Sequence, residues 1–187
     1  MQITGIILAG GKSSRMGIDK ALLEMEEKTL LYRAVKFCQT FCDEILISSN
    51  NPEHEVDGLR LINDEIKDCG PMGGIYSSLK QSVNNWNFVL SVDAVFVEQE
   101  FIFELKKEIE NFDAVIPFHK NGKEPLIAFY HRKITATMLQ QIEKKNYRMT
   151  DLLELTNTRW INAEKWLDKN PRIFHNLNRS EDFEGVK

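Results

Sequence analysis

The feature that most constrains this chain is an apolar run near its start that stops at two adjacent glycines. Residues Ile3 to Ala9 form a short, β-rich segment, which is typical of a buried strand. Gly10 and Gly11 lack a Cβ atom, so the backbone after this strand can turn sharply and approach a ligand closely. Successive exposed N–H groups in such a turn can bind an anion. The sequence therefore predicts a strand followed by an anion-binding loop.

The loop after the glycines is rich in cations. Lys12, Arg15 and Lys20 are accompanied there by a single acidic residue, Asp19. The resulting positive field favours a di- or triphosphate ligand. The Walker A and dinucleotide motifs both fail here, because residue 6 is not glycine and residue 12 is lysine. The loop is thus a phosphate site outside both classes, or alternatively an ordinary turn with charged surface side chains.

Length and composition predict one globular domain over residues 1–187. The net charge of −4 argues against a general nucleic-acid binder. No apolar run reaches the roughly 18 residues of a membrane span, and the N-terminus lacks the order of a signal peptide. We therefore expect a cytoplasmic protein with no nucleic-acid or membrane partner. The three cysteines are expected to be reduced, and none of the four scattered histidines is assigned a catalytic role.

Strand-like and helix-like segments alternate along the chain. This alternation predicts a three-layer α/β/α Rossmann-like fold, with a mostly parallel central sheet and helices on both faces. The predicted extended segments are Ile3–Ala9, Glu44–Ser49, Leu59–Ile62, Phe88–Val92, Ala114–Pro117, Leu126–Tyr130, Arg159–Ile161 and Ile173–His175. The predicted helices cover residues 29–42, 98–110 and 133–145, a segment after Gly70–Gly74, and a short segment through Leu155 that Thr150-Asp151 would cap.

Ligands of such sheets bind where strands end, and polar residues follow several predicted strands. Asp93 comes directly after Phe88–Val92, and a carboxylate there suits Mg²⁺, which typically takes one or two carboxylates with phosphates and water. A helix N-cap or turn role is the alternative. Asp64 follows Leu59–Ile62, and it either accepts hydrogen bonds from a sugar or base or acts as an ordinary turn residue.

These motifs, in this order, resemble the glycosyltransferase-A-like nucleotidyltransferases, and among them the molybdenum cofactor guanylyltransferases. The resemblance runs along the whole chain and implies the nucleotidyltransferase version of the predicted fold. It also implies GTP, Mg²⁺ and the molybdopterin cofactor as ligands, and it allows molybdoenzymes or other cofactor-biosynthesis proteins as partners. The matching segments are L-A-G-G-K-S-S-R-M-G-I-D-K at residues 8–20, Gly70–Ile75, Asp93, Glu124-Pro125-Leu126 and Asn176-Leu177-Asn178.

The resemblance also implies roles for individual positions. Arg15, Lys20 and Asp93 would be catalytic, with Asp93 as the Mg²⁺ ligand, and Asn178 would close the site near the metal and the acceptor. Ser48 matches a nucleotide-binding asparagine of the family, and Asn50 follows two residues later. The positions implied to contact the nucleotide or its phosphates are Leu8, Ala9, Gly10, Gly11, Arg15, Lys20, Ser48, Asn50 and Asp64.

Two departures from the family pattern keep other functions open. Val95 stands where the family has a proline two residues after Asp93, so the turn beside the implied metal ligand is not preset. Arg179 and Ser180 replace a Thr-Pro pair after Asn178. The leading hypothesis is guanylyl transfer from Mg-GTP to molybdopterin. The alternatives are cytidylyl or other nucleotidyl transfer to a different phosphate acceptor, and a non-catalytic nucleotide-binding or partner-docking protein.

Overall fold

Residues 1–10 and 19–177, which this computed structural model describes, build a large sheet with helices on both faces. The strands are β1 (Ile3–Leu8), β2 (Glu24–Met25), β3 (Lys28–Thr29), β4 (Glu44–Ser48), β5 (Arg60–Ile62), β6 (Trp86–Ser91), β7 (Ala114–His119), β8 (Gly122–Lys123), β9 (Ile127–His131) and β10 (Thr158–Asn162). The helices are α1 (Leu30–Gln39), α2 (Pro71–Gln81), α3 (Gln99–Lys106), α4 (Thr135–Glu143), α5 (Met149–Glu154) and α6 (Glu164–Lys169). Short 3₁₀ turns cover Lys20–Leu22, Pro52–His54 and Arg132–Ile134.

The large sheet is mostly parallel. Its strands follow the order β10-β7-β9-β6-β1-β4-β5, with β8 paired to β7, while β2 and β3 form a separate hairpin. β1 pairs parallel with both β4 and β6, and β9 runs antiparallel to its neighbours β6 and β7. The carboxyl ends of β1, β4, β5, β6 and β7 therefore lie at one edge, where sheets of this kind bind ligands.

Apolar side chains alternate across the sheet and fill one core on each face. Ile3, Ile7 and Phe88 pack under α1, α3 and α6. Ile6 and Val89 point to the opposite face and pack under α2, α4 and α5. This division follows from the two-residue period of a strand, which sends successive side chains to opposite sides. The predicted three-layer α/β/α arrangement with a mostly parallel sheet is confirmed.

Helix α1 shows how the sequence sets a local element. Thr29 caps its start, since the Thr29 hydroxyl accepts a hydrogen bond from the Tyr32 N–H group at 3.1 Å. Leu31, Ala34 and Cys38 then recur at helical spacing and are all buried against the sheet. The predicted helix over residues 29–42 is therefore confirmed in type, although it ends at Gln39.

Other predictions of local structure need correction. The structure contains β2, β3, β8 and α6, which were not predicted because elements of two to six residues carry too little periodicity. The extended segment expected over Ile173–His175 is wrong, since the His175 N–H group closes a turn onto the Arg172 carbonyl at 2.8 Å. Thr150-Asp151 does not cap α5, which already begins at Met149.

The cysteines are free, as expected, and Cys38 and Cys69 are buried. The hydrogen bond with Cys42 and burial both raise the pKa of the Cys38 thiol. Because the thiolate is the reactive form, a raised pKa makes this cysteine less reactive. Among the described residues, no helix combines the length and the apolar character that crossing a membrane would require.

Helix α2 approaches the strand ends through glycine. Gly70 precedes the helix with a φ of +58°, which favours glycine, and Pro71 opens the first turn. A Cβ atom on Gly74 would collide with the Ser48 hydroxyl and would lie 3.4 Å from Asp64 Oδ1. The absence of a side chain at Gly74 thus lets α2 reach the ends of β4 and β5.

Replacing the ring at the sheet centre tests the core. Phe88 is fully buried, and its ring centroid lies 5.3 Å from that of Phe41 and 5.1 Å from that of Phe129. We expect Phe88→Ala to lower the free energy of unfolding by about 3–5 kcal/mol in urea denaturation, because it leaves a cavity. Val83, which is 69% exposed, provides the control. Val83→Ala should cost at most about 0.5 kcal/mol, and an equally small cost for Phe88→Ala would contradict the assigned core.

A second prediction concerns the close approach at Gly74. Gly74→Ala should destabilise the fold by about 1–3 kcal/mol, because the added methyl group meets the Ser48 hydroxyl. Ser48→Ala removes that hydroxyl, so the double variant should recover part of the lost stability. Thermal unfolding of the two single variants and the double variant measures this. Strict additivity of the two effects would show that the Ser48 contact is not the cause.

Candidate active site

The carboxyl ends of β1, β4 and β6 lie side by side at one edge of the sheet, and we call this region, from Gly10 through Ser48 to Asp93, the crevice. The N–H groups of Ala9 and Gly10 both donate to the Ser48 carbonyl at 3.1 Å, which ties the chain after β1 to the end of β4. The Val92 N–H group donates to the Leu8 carbonyl at 3.1 Å, which ties β6 to the other side of β1. The ends of these three strands therefore lie together, whereas residues 11–18, which follow Gly10, lie outside the described residues.

The predicted nucleotide contacts on β1 have different surroundings. Leu8 and Ala9 are buried and Gly10 is exposed. A Cβ atom on Gly10 would lie 3.3 Å from the Ser49 Cα atom, so glycine keeps the chain close to β4. Because the Ala9 and Gly10 amides already donate to the Ser48 carbonyl, the predicted anion-binding amides do not include these two. Gly11 and Arg15 lie outside the described residues.

Asp93 lies just after β6 in a turn that the Ala94 N–H group closes onto the Ser91 carbonyl at 3.0 Å. Its Oδ1 atom accepts a hydrogen bond from the Ser91 hydroxyl at 2.5 Å, and its Oδ2 atom lies 2.9 Å from Lys20 Nζ. The carboxylate is only 12% exposed. Helix α3 begins at Gln99, so the N-cap alternative for Asp93 is wrong and Asp93 is a turn residue.

The turn after Asp93 is held without the family proline. Besides the Ala94 bond, the Leu177 N–H group donates to the Asp93 carbonyl at 3.1 Å, and Leu177 is only 1% exposed. Val95 packs against the core on the α1 face. The last described residues of the chain therefore reach the Asp93 turn, whereas Asn178 itself lies outside the described residues.

A single carboxylate at this position suits a divalent cation that a nucleotide brings with it. Within residues 1–10 and 19–177, no group of three His, Cys, Asp or Glu side chains could hold a metal ion. Mg²⁺ is usually bound through one or two carboxylates together with substrate phosphates. The donors at Asp93 thus fit a cation shared with phosphates, and they do not form an all-protein metal centre.

Lys20 follows a residue that is fixed by several hydrogen bonds. Asp19 Oδ1 accepts from the Ala21 N–H group at 3.0 Å, which caps the 3₁₀ turn that begins at Lys20. Asp19 Oδ2 accepts from Asn51 Nδ2 at 2.9 Å and lies 2.9 Å from His54 Nε2. The Asp19 carboxylate is therefore used for anchoring. This contact of His54 could not be predicted from the sequence, because no motif surrounds His54 along the chain.

The ends of β4 and β5 form the rim of the crevice beside α2. Asn50 and Asp64 make a reciprocal pair, in which Asn50 Nδ2 donates to Asp64 Oδ2 at 3.1 Å and the Asp64 N–H group donates to Asn50 Oδ1 at 2.9 Å. Both side chains are at least partly exposed, whereas Ser48 is buried against Gly74. Of the predicted rim residues, Asn50 and Asp64 thus have side chains that a ligand could reach.

The opposite side of Asp93 carries the Glu124-Pro125-Leu126 segment. The Ser91 N–H group donates to the Leu126 carbonyl at 2.9 Å, which places this segment beside the Asp93 turn. Burial raises the pKa of Glu124, and a hydrogen bond with His119 Nε2 at 2.9 Å opposes that rise. A carboxyl and an imidazole therefore face each other beside the Asp93 turn, and the sequence predicts a catalytic role for neither.

The same arrangement of motifs and strands occurs in known proteins. A family model of the MobA-like NTP transferase domain matches residues 5–160. A probable molybdenum cofactor guanylyltransferase of Natranaerobius thermophilus is 30% identical, over 99% of this chain and 95% of that protein. A molybdenum cofactor guanylyltransferase of Syntrophotalea carbinolica is 31% identical, over 97% of this chain and 89% of that protein.

Solved structures show the same fold. The crystal structure of molybdopterin-guanine dinucleotide biosynthesis protein A from Archaeoglobus fulgidus superimposes with a TM-score of 0.82, covering 98% of this chain and 96% of that one at 22% identity. The family match covers most of the chain and includes Gly10, Lys20, Asp64 and Asp93. This chain therefore belongs to the MobA-like NTP transferase family of nucleotidyltransferases.

Proposed function

We propose that this protein is a molybdenum cofactor guanylyltransferase, which transfers GMP from Mg-GTP to the terminal phosphate of Mo-molybdopterin and releases pyrophosphate. The observation that carries the proposal is the contact of 2.9 Å between Lys20 Nζ and Asp93 Oδ2 at the strand-end crevice. This contact brings together the Lys20 ammonium, which can bind nucleotide phosphates, and the Asp93 carboxylate, which can bind the Mg²⁺ ion that accompanies them. The names of the relatives support GTP and molybdopterin as the substrates.

The proposed reaction exchanges one P–O bond for another. An oxygen of the acceptor phosphate attacks the α-phosphorus of GTP, and the bond between that phosphorus and the α–β bridging oxygen breaks, so the electron pair leaves with pyrophosphate. A phosphate is already ionised near neutral pH, so the attack requires no general base. Catalysis then depends on the positions of the reactants and on neutralisation of their charge.

The residues around the crevice would divide these tasks. Lys20 would offset charge on the leaving pyrophosphate, and Arg15 would share this role. Asp93 would hold Mg²⁺, and its Ser91 and Leu177 contacts would keep the carboxylate in place. When bound, the cation would neutralise charge on the phosphates. Asn50 and Asp64, at the rim, would lie beside the nucleotide, and Asn178 would approach from the acceptor side.

A single domain, a cytoplasmic location and contacts with molybdoenzymes stay predictions. The family match and the guanylyltransferase names of the relatives favour an enzyme over a non-catalytic nucleotide-binding protein.

Nucleotide choice tests the proposal directly. Purified protein with Mg²⁺ should bind GTP in preference to CTP, ATP and UTP by isothermal titration calorimetry, and it should release pyrophosphate from GTP only when molybdopterin is present. A preference for CTP or UTP would refute the guanylyl assignment. Tight binding of GTP without pyrophosphate release would refute the enzyme assignment.

Asp93→Asn tests the assigned metal ligand. Asparagine keeps the size of the side chain and can still accept hydrogen bonds, but it lacks the negative charge that strengthens the binding of a divalent cation. We expect kcat to fall by about 100-fold or more with little change in the unfolding temperature. The control is Asp168→Asn on the exposed side of α6, which should leave kcat unchanged. Turnover of Asp93→Asn at the wild-type rate would remove Asp93 from the mechanism.

A further inference from the structure

His54 is a buried histidine in a polar turn near the crevice. Only 1% of the residue is exposed, and both ring nitrogens have partners. Nε2 lies 2.9 Å from Asp19 Oδ2, and Nδ1 lies 2.7 Å from the Ser49 hydroxyl oxygen. A polar side chain this deep, with both nitrogens engaged, is held in one orientation.

The partners of His54 determine which nitrogen carries the proton. A carboxylate oxygen only accepts, so His54 Nε2 must donate to Asp19. The Ser49 hydroxyl accepts from the Asn51 N–H group at 3.0 Å, so its own hydrogen can go to His54 Nδ1. Each member of this series of hydrogen bonds can then donate and accept without conflict, with a proton of His54 on Nε2.

The chain of hydrogen bonds ends at a residue that flanks the phosphate loop. Asp19 is the first described residue after the segment 11–18, and Gly10 is the last one before it. Gly10 is tied to the Ser48 carbonyl, and Asp19 is tied to His54, which is itself bonded to Ser49. Both ends of the segment are therefore anchored on the exit of β4.

Asp19 also fixes the residue that follows it. Its carboxylate caps the 3₁₀ turn Lys20–Leu22, so the Lys20 backbone is held next to the His54 contact. The Lys20 side chain then reaches Asp93, with Nζ at 2.9 Å from Oδ2. Movement of Asp19 would carry Lys20 with it, away from the phosphates that it is proposed to bind.

We infer that His54 is a positioning residue for nucleotidyl transfer: it holds Asp19, and through Asp19 it sets Lys20 against Asp93. The inference rests on the proposed function, because it takes Lys20 as the triphosphate ligand. His54 is too buried to line the crevice, and it reaches Lys20 through the Nε2 hydrogen bond to Asp19.

Three substitutions separate the two ring nitrogens. His54→Gln can place an amide nitrogen near the position of Nε2 and keep the bond to Asp19. His54→Asn can reach only the Ser49 side, and His54→Phe keeps the ring volume with neither bond. We expect His54→Phe and His54→Asn to raise the KM for the nucleotide about tenfold or more, because a charge-assisted hydrogen bond is lost. His54→Gln should restore most of the affinity.

A control and a coupling experiment exclude a merely structural role. His131→Gln alters a half-buried histidine at the opposite edge of the sheet, where His131 Nδ1 accepts from the Lys133 N–H group, and it should leave the KM unchanged. In a Lys20→Met background, His54→Phe should have no further effect on nucleotide affinity, since its action passes through Lys20. Equal losses with and without Lys20 would overturn the inference.

Trypsin cleavage after Lys20 gives a readout that does not depend on the proposed function. Ala21 is fully buried and its N–H group is held by Asp19, so cleavage of the Lys20–Ala21 bond should be slow in the wild type. It should become several-fold faster in His54→Phe and remain slow in His54→Gln. Unchanged cleavage in His54→Phe would overturn the anchoring role. Wild-type protein that binds no nucleoside triphosphate would refute the proposed function, while the cleavage rates would still decide the anchoring role.

Discussion

The parallel pairing of β1 with both of its neighbours is the constraint on which the rest of the structure depends. Leu8 lies opposite Ser48 on one side and opposite Ser91 on the other. Three strands therefore end at the same level, and the polar residues that follow them emerge at one edge of the sheet. The Ala9, Gly10 and Val92 amides continue the pairing past the last strand residues. The crevice is thus a direct consequence of register.

Close packing and buried polar contacts then give the crevice its shape. The missing side chain of Gly74 lets α2 come near Ser48 and Asp64, and the hydrogen bonds of Asp19 fix the start of the turn that carries Lys20. Ser91 and the Leu177 amide hold Asp93 in place of the family proline. Lys20 and Asp93 are thus each supported by neighbours, Asp19 for one and Ser91 and Leu177 for the other, that are assigned no contact with the nucleotide.

The fold could largely be predicted from the sequence because long elements carry a clear period. The apolar runs around Ile7 and Phe88 predict strands, and the apolar spacing around Leu31 predicts a helix. The structure confirms all three element types. The two-residue strands and α6 were not predicted, because segments this short contain too few apolar residues to show a strand or helix period. The turn at His175 was predicted as a strand because Ile173 and Phe174 are residue types that favour strands. The hydrogen bond from the His175 N–H group to the Arg172 carbonyl leaves no mark in the sequence.

The sequence by itself determined the layered α/β architecture, and it marked the glycine-rich segment after β1 and Asp93 as candidate ligand-binding positions, since these depend on local patterns of apolar, glycine and acidic residues. Only the tertiary structure decided which groups act together. Lys20 meets Asp93 across 73 positions of sequence, and His54 meets Asp19 across 35. Contacts of this kind are created by strand order and packing, so no local pattern along the chain encodes them.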